Sequence, residues 1–256
     1  MLRLGNSITS ETTPFENLVS LEFDGVNDYL DLGDTDDFSF GDGSNDQAFS
    51  MSIWYKAADV TSMPLISKTT STSAEREYYM YISGADKLAI ALFDTSSGGY
   101  LIAQTAAVTS TQGSWNHVVF TYDGNKIKTG LKIYLNGEAE SVTYSADGAT
   151  IGSGAYTAME NTAFPLYVGN FPLVGYKAQE LDEFSMWNIE LTSAKAEELY
   201  NSGDPTDLSN EQGLIGWWRM GDTAIFPTIP DASTNSNNGT MTNMSSSDIT
   251  TDVPSS

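Results

Sequence analysis

The sequence predicts an all-β protein: an antiparallel two-sheet β-sandwich of the jelly-roll kind, with one short late helix. Three observations carry this. Many short segments alternate apolar and polar residues, as in FSMSIWY at 49–55, and alternation is the period of a half-buried strand. Asp-Gly and Asn-Gly pairs (Asp24-Gly25, Asp123-Gly124, Asn136-Gly137) punctuate these segments with tight-turn chemistry, because Gly tolerates positive φ. Strand–helix–strand alternation is missing, which argues against a parallel sheet.

In order, residues 1–18 read as an irregular arm closed by Pro14, and the stretch 21–33, LEFDGVNDYLDLG, reads as a hairpin turning at Asp24-Gly25. An acidic loop with Phe38 and Phe40 as anchors precedes the strand at 49–55. Further strands are expected at 63–68, at 77–83 and 87–93 as a hairpin, and at 100–105 and 115–122. Residues 131–135 and 138–144 read as a third hairpin across Asn136-Gly137, and 164–169 and 179–189 add two more strands. The helix spans 191–203: Thr192 or Ser193 caps it, Leu191, Ala194, Leu199 and Tyr200 share its apolar side, and Gly203 stops it. A last strand covers 214–220, and the segment from 228 onward is polar.

Composition bounds the function. With 256 residues, 40% of them hydrophobic, five Trp and thirteen Tyr, the chain has material for a real core. Eleven basic against thirty-four acidic residues give a net charge of −23, a surface that repels phosphate backbones and argues against a nucleic-acid partner. Cysteine is absent from the sequence, so neither disulfides nor thiol chemistry contribute. No apolar run approaches the roughly 18 residues that span a bilayer, so membrane insertion is not expected. The opening MLRLGNSITSETTPF lacks the apolar region of a Sec signal; lysis as part of a virus particle is one other route out of a cell. Asp24, Asn27, Asp28 and Asp31 place four oxygen-bearing side chains within eight residues, which suits calcium and equally an ordinary solvated turn.

Taken together, LEFDGVNDYLDLG, FSMSIWYK, WNHVVFTYDG, LKIYLNGE and ELDEFSMWNIELTSAKAEELYNSG resemble the concanavalin A-like lectin/glucanase superfamily. The likeness is to LamG-like jelly rolls related to laminin G and pentraxin domains, and it implies a domain over 19–226 followed by a polar C-terminal segment, 227–256. LIGWWRMGD…DASTNSNNGTMTN (214–243) is similar to a segment that precedes the FDG strand in many such proteins. Here it follows the helix, so it either completes the sandwich beside the first strand or begins a truncated repeat. With SSDITTD behind it, it is similar to LamG-like domains of tailed-bacteriophage structural proteins.

The resemblance implies a calcium ion, with Asp24 and Asp182 as carboxylate ligands and Asn27 as a weaker third. Asp231, Asn235 and Asn237 alternate like a calcium loop but lack a terminal bidentate Glu, so a polar turn is expected there. Glucanases sharing this fold use a Glu-x-Asp-x-Glu strand. Glu180 and Asp182 match that pattern, but Phe184 stands where the second Glu belongs and Glu183 is expected on the other face, so no glycosidase is expected. His117, the one histidine, is expected in the core, as are Trp54, Trp115, Trp187, Trp217 and Trp218. Loop aromatics Tyr100, Tyr156, Phe171 and Tyr176 are the candidate sugar contacts. The resulting expectation is a non-enzymatic structural or binding module on a virion, as capsid decoration or tail fibre component. Its expected partners are carbohydrate or other virion proteins, with homo-oligomerisation left open. The alternative is a secreted bacterial lectin-like adhesion domain, outside the cell.

Overall fold

A computed structural model describes residues 15–71, 75–107, 111–146 and 154–255. Most of the expected arm, residues 1–14 with Pro14, lies outside the described residues. Two large antiparallel sheets face each other. The first contains β1 (Ser20–Asp24), β3 (Phe49–Lys56), β8 (Asn116–Tyr122), β9 (Leu131–Leu135), β10 (Glu138–Ala139), β15 (Ala178–Trp187), β16 (Leu214–Trp218) and β19 (Ile249–Thr250). The second contains β2 (Tyr29–Asp31), β4 (Met63–Thr69), β5 (Arg76–Ile82), β6 (Leu88–Asp94), β7 (Gly99–Thr105), β11 (Val142–Ala146), β12 (Tyr167–Val168), β17 (Thr228–Ile229) and β18 (Gly239–Thr242). A small hairpin, β13 (Asn170–Phe171) with β14 (Gly175–Tyr176), forms its own two-stranded ladder against the second sheet. None of the helices among the described residues is long and apolar enough to cross a membrane.

Alternation sets the core. Phe49, Met51, Ile53 and Tyr55 of β3 point inward with Leu21, Phe23, Leu181 and Phe184, against Tyr78, Met80, Ile90 and Leu101 of the other sheet. Phe40 stacks on Phe49 at 4.2 Å and Phe184 on Trp218 at 5.1 Å, so aromatic faces fill the centre. Four of the five tryptophans are buried; Trp115, just ahead of β8, is half-buried at the rim instead of in the core.

One expected hairpin is not a hairpin, and another is cut short. β1 pairs with β15 and β19 in one sheet, whereas β2 pairs with β12 and β18 in the other. The Asp24-Gly25 turn is therefore a corner between sheets, letting Leu21 and Phe23 meet Leu30 and Leu32 across one core. Its backbone is held by its own carboxylates: Asp24 Oδ1 accepts from Val26 N (2.7 Å) and Asp28 Oδ2 from Asp24 N (2.9 Å). Gly25 has φ +77°, and a Cβ there would meet the Ala178 backbone. Likewise only Glu138 and Ala139 return along β9; the chain then crosses to pair β11 with β7.

α1 (Ser193–Tyr200) starts at Thr192, whose hydroxyl accepts from Lys195 N, and ends on Asn201 at φ +44°, two residues before the expected Gly203 stop. It buries Ala196 and Leu199 against Val119, Tyr134, Trp187 and Trp217, covering the outer face of the first sheet. Beyond residue 226, β17 and β18 extend the second sheet and β19 borders β1 in the first, so the segment 228–250 is built into the sandwich.

Candidate functional site

β15 does not keep the regular alternation that the glucanase comparison assumes. Between Asp182 and Ser185 its pairing with β3 slips by a bulge, and Glu183 sits at φ +47°. The slip turns Phe184 into the core, where it is fully buried, and places Asp182 and Glu183 side by side. Glu183 therefore leaves the face expected for it: its carboxylate accepts from Trp217 Nε1 and from Arg219 Nε (3.1 Å). Asp182 accepts from Asn17 Nδ2 and from the Glu183 amide, both at 2.8 Å. Arg219 also bridges Asp222 (3.0 Å) and donates to Glu16 O, while its guanidinium lies 4.5 Å from the Phe15 ring. Asn17 on Asp182, Glu16 O on Arg219 and the Phe15 ring under the guanidinium tie residues 15–17 to the sheet, and both carboxylates are engaged by protein donors.

Burial holds the Asp182 carboxyl well above the usual carboxylate range, and the Glu183 charge adds to it. Burial likewise pushes Glu183 up to about 7, against the pull of Arg219. The folded protein thus holds this proton more tightly than the unfolded chain does. Glu183's contribution to stability is present below the ordinary carboxylate range and is lost as pH rises through about 7. The melting-temperature difference between Glu183→Gln and wild type is expected to shift in the variant's favour between about pH 4.5 and about pH 8. A pH-independent difference would reject the assignment. His117 is buried, as expected: burial pushes it down to about 3, its Nε2 lies 2.6 Å from Ser52 Oγ, and its ring lies 4.8 Å from that of Trp54.

Asp24 and Asp182 do not share a coordination shell. Asp24 pairs opposite Ala178 and Leu21 opposite Leu181, so the two carboxylates stand four positions apart along the ladder. At about 3.3 Å per residue that separation is roughly 13 Å, several times a calcium–oxygen distance. Asp24 serves its turn, and Asn27 bonds into that turn through its amide on Asp24 Oδ1 and its carbonyl on Asn243 Nδ2. Asp231 is spent on backbone too, accepting from Trp217 N, Ser233 N and Asn237 N; Asn235 and Asn237 both donate to Ile215 O. Among the described residues no group of three or more His, Cys, Asp or Glu is placed to hold a metal.

The outward face of the second sheet gathers aromatics. On β5, β6 and β7, Tyr79, Phe93 and Tyr100 face away from the core, and the β13–β14 hairpin lays Phe171 on Tyr79 at 4.2 Å and on Tyr81 at 5.5 Å. Tyr100 and Phe171 thus meet in one cluster, but both are nearly fully buried. Across the hairpin lies a more open group. Tyr29 meets Tyr167 at 4.8 Å and Tyr176 at 6.4 Å, and Phe164 meets Tyr167 at 5.3 Å, all four half-buried. Asp31 pairs directly opposite Tyr167. Burial first, then Asp31, Tyr29 and Tyr176, push the Tyr167 hydroxyl up to about 12, so it stays protonated and can both donate and accept. Tyr156 belongs to neither group: it packs on the core and donates to Asp46 at 2.6 Å. Tyr29 and Tyr167 were not among the sequence candidates, although the alternation of Tyr29-Leu30-Asp31 already puts Tyr29 opposite the inward Leu30.

A buried ion pair positions this face. Lys68 is fully buried, and its ammonium donates to Asp34 (2.7 Å), to Thr162 O (3.1 Å) and to Phe164 O (2.6 Å), 3.2 Å from Glu77. Glu77 accepts from the Thr162 amide (2.8 Å) and hydroxyl (2.9 Å). The chain that carries Phe164 and leads into Tyr167 is thereby fastened to β4 and β5.

Two antiparallel sheets around one core, a late helix on one outer face and an aromatic group on the other define a lectin-like jelly roll. The sequence matches the Laminin_G_3 family, described as the concanavalin A-like lectin/glucanases superfamily, over residues 24–196. The chain belongs to this superfamily. A Bacteroides ovatus ATCC 8483 protein described as a candidate carbohydrate binding protein superposes with a TM-score of 0.63 at 18% identity, over 95% of this chain and 62% of that one. This chain therefore spans less than two thirds of that protein's length. The heptameric SAP-like pentraxin of Limulus polyphemus gives 0.40 at 13% identity, covering 70% of this chain and 83% of the other. The CBM40 of Ruminococcus gnavus IT-sialidase, bound to α2,3 sialyllactose, gives 0.43 at 13%, covering 62% and 84%. At these identities the likeness is one of fold. No curated protein matches the chain.

Proposed function

We propose that the protein is a non-enzymatic carbohydrate-binding module that uses the outer face of its second sheet. The observation that carries this is the half-buried group of Tyr29, Tyr167, Tyr176 and Phe164 around Asp31. Sugar CH faces pack on aromatic rings, and Asp31 and the tyrosine hydroxyls supply convergent polar groups. With a net charge of −23 and a carboxylate in the site, a neutral pyranose suits it better than an anionic one. Absence of catalysis is supported by Phe184 lying in the core and by the engaged state of Asp182 and Glu183. The setting we favour is a virion surface, as capsid decoration or tail fibre, where many weak sites displayed together bind a glycan coat by avidity. That setting rests on the resemblance of 214–243, with SSDITTD behind it, to phage structural proteins read from the sequence alone; a secreted adhesion domain is the second reading.

Multivalent labelled protein on a glycan array, with calcium and again with EDTA, is the test. Binding to a neutral sugar class is expected, with Tyr29→Ala and Tyr167→Ala each weakening it at least about tenfold. Undiminished binding by both variants would move the site elsewhere, and no binding to any glycan would refute the function.

A further inference from the structure

The β13–β14 hairpin stands on the outer face of the second sheet as a wall with two unlike sides. In that sheet β5, β4, β12 and β2 lie side by side, and the hairpin is fastened over β4. On one side Phe171 reaches β5, covering Tyr79 and Tyr81. Tyr176 reaches the other way, to Tyr29 of β2 at 6.4 Å. Successive residues of a strand alternate sides, and residues directly opposite in a ladder share one. Asn170 precedes Phe171 and pairs directly with Tyr176, so its side chain belongs to the Tyr29 side. The backbone agrees: Asn170 O accepts from Ser67 Oγ at 2.7 Å, and Ser67 is the cross-strand partner of Tyr167. Asn170 thus sits at the foot of the wall, between the strands that carry Tyr167 and Tyr176.

Its side chain is not satisfied by the fold. Asn170 is 6% exposed, and its Oδ1 is enclosed without a hydrogen-bond partner among the described residues. The nearest hydroxyl in the wall's footing, that of Ser67, is already donated to the Asn170 backbone. A buried acceptor left without a donor carries the full cost of its lost hydration, and such a group calls for an explanation. Here it lies beside the rings of Tyr29, Tyr167 and Tyr176, which leave it an apolar border. A neutral carboxamide oxygen asks for a neutral donor. A sugar hydroxyl is one, carried at the edge of a ring whose CH face packs on aromatic side chains.

We propose that Asn170 is the specificity-determining residue of the tyrosine face, where its Oδ1 accepts a hydrogen bond from one hydroxyl of a neutral pyranose. The inference rests on the carbohydrate-binding reading above and adds to it which sugars are admitted. A sugar lacking the hydroxyl at that one position is rejected, because the buried acceptor then stays unpaired. Stacking alone cannot discriminate in this way, since a CH face brings area to the rings but no directional donor.

The full chain, as wild type, Asn170→Leu and Asn170→Ala, is titrated calorimetrically with methyl α-glucoside, methyl β-galactoside, methyl α-mannoside and their monodeoxy forms. In wild type, loss of one particular hydroxyl is expected to weaken binding at least about tenfold, with the other positions mattering less. Both variants are expected to bind the parent glycoside at least about tenfold more weakly and to treat that deoxy form and its parent alike. Melting curves of the free proteins separate this from a structural role. Exchanging an unpaired buried acceptor for an apolar side chain of similar size is expected to leave the melting temperature of Asn170→Leu unchanged or raised. A marked fall in both variants would show that the carboxamide serves the fold, and would overturn the proposal. So would equal sensitivity of wild type and variants to every hydroxyl, or unchanged affinity in both variants. Binding lost in Tyr29→Ala and Tyr167→Ala but kept in both Asn170 variants removes this inference alone; no binding of any glycoside by wild type removes the tyrosine-face reading with it.

Discussion

Phe184→Glu is expected to abolish folding and to yield no glycosidase activity, although it completes the Glu-x-Asp-x-Glu spacing. In a regular strand the new carboxylate would join Glu180 and Asp182 on one face. The bulge at Asp182 and Glu183 removes it from that face and turns position 184 inward against Trp218, stacked at 14° and fully buried. Losing a buried phenyl ring costs about 3–5 kcal/mol. An unpaired carboxylate in its place costs several kcal/mol more. The sum rivals the ~5–15 kcal/mol that holds a typical domain together. Denaturant melts and a reducing-sugar assay on laminarin check it: a folded variant that releases sugar would contradict the inward placement.

Lys68→Met is the second large effect. The substitution keeps the volume but strands Glu77, whose carboxyl burial already pushes up and the ammonium of Lys68 pulls down. Removing one partner of a fully buried pair costs about 3–5 kcal/mol. Adding Glu77→Leu is expected to recover part of that, because the uncompensated charge then goes too. Lys68 also holds the carbonyls of Thr162 and Phe164, so the single variant is expected to weaken glycan binding at the tyrosine face even where it stays folded. Stability by urea melts and array signal from the same preparation separate the two effects; an additive double variant would show that the pair does not couple.

The strands were legible because alternation reports a half-buried face directly, and β3 through β9 fall within a residue or two of where the pattern puts them. What alternation cannot report is which sheet a strand joins. Asp24-Gly25 carries hairpin chemistry, yet the turn is a corner, because pairing partners for β1 and β2 lie more than a hundred residues away at β15 and β12. The bulge in β15 had no glycine to announce it: Glu183 takes a left-handed conformation without the usual residue for one. β17 and β19, two residues each in a polar segment, are too short to show a period. The candidate site was less legible for the same reason. Of its four aromatics only Tyr176 stood out in the sequence, as a loop aromatic; Tyr29 and Tyr167 become neighbours only through the pairing of β2 with β12.

The placement of β18 and β19 also governs when the protein can fold. β1, near the start of the described chain, finds one neighbour at residues 178–181 and the other at 249–250, while β2 waits for 167–168 and 240–242. On the ribosome β1 and β2 must therefore stay unpaired until residues 167–181 have been synthesised, and each keeps one edge open until residues 240–250 follow. Contacts of such long sequence separation are slow to close, and unpaired strand edges invite association. The dense negative charge on the chain acts in that interval, keeping nascent copies apart until residues 239–250 seal both sheets at once.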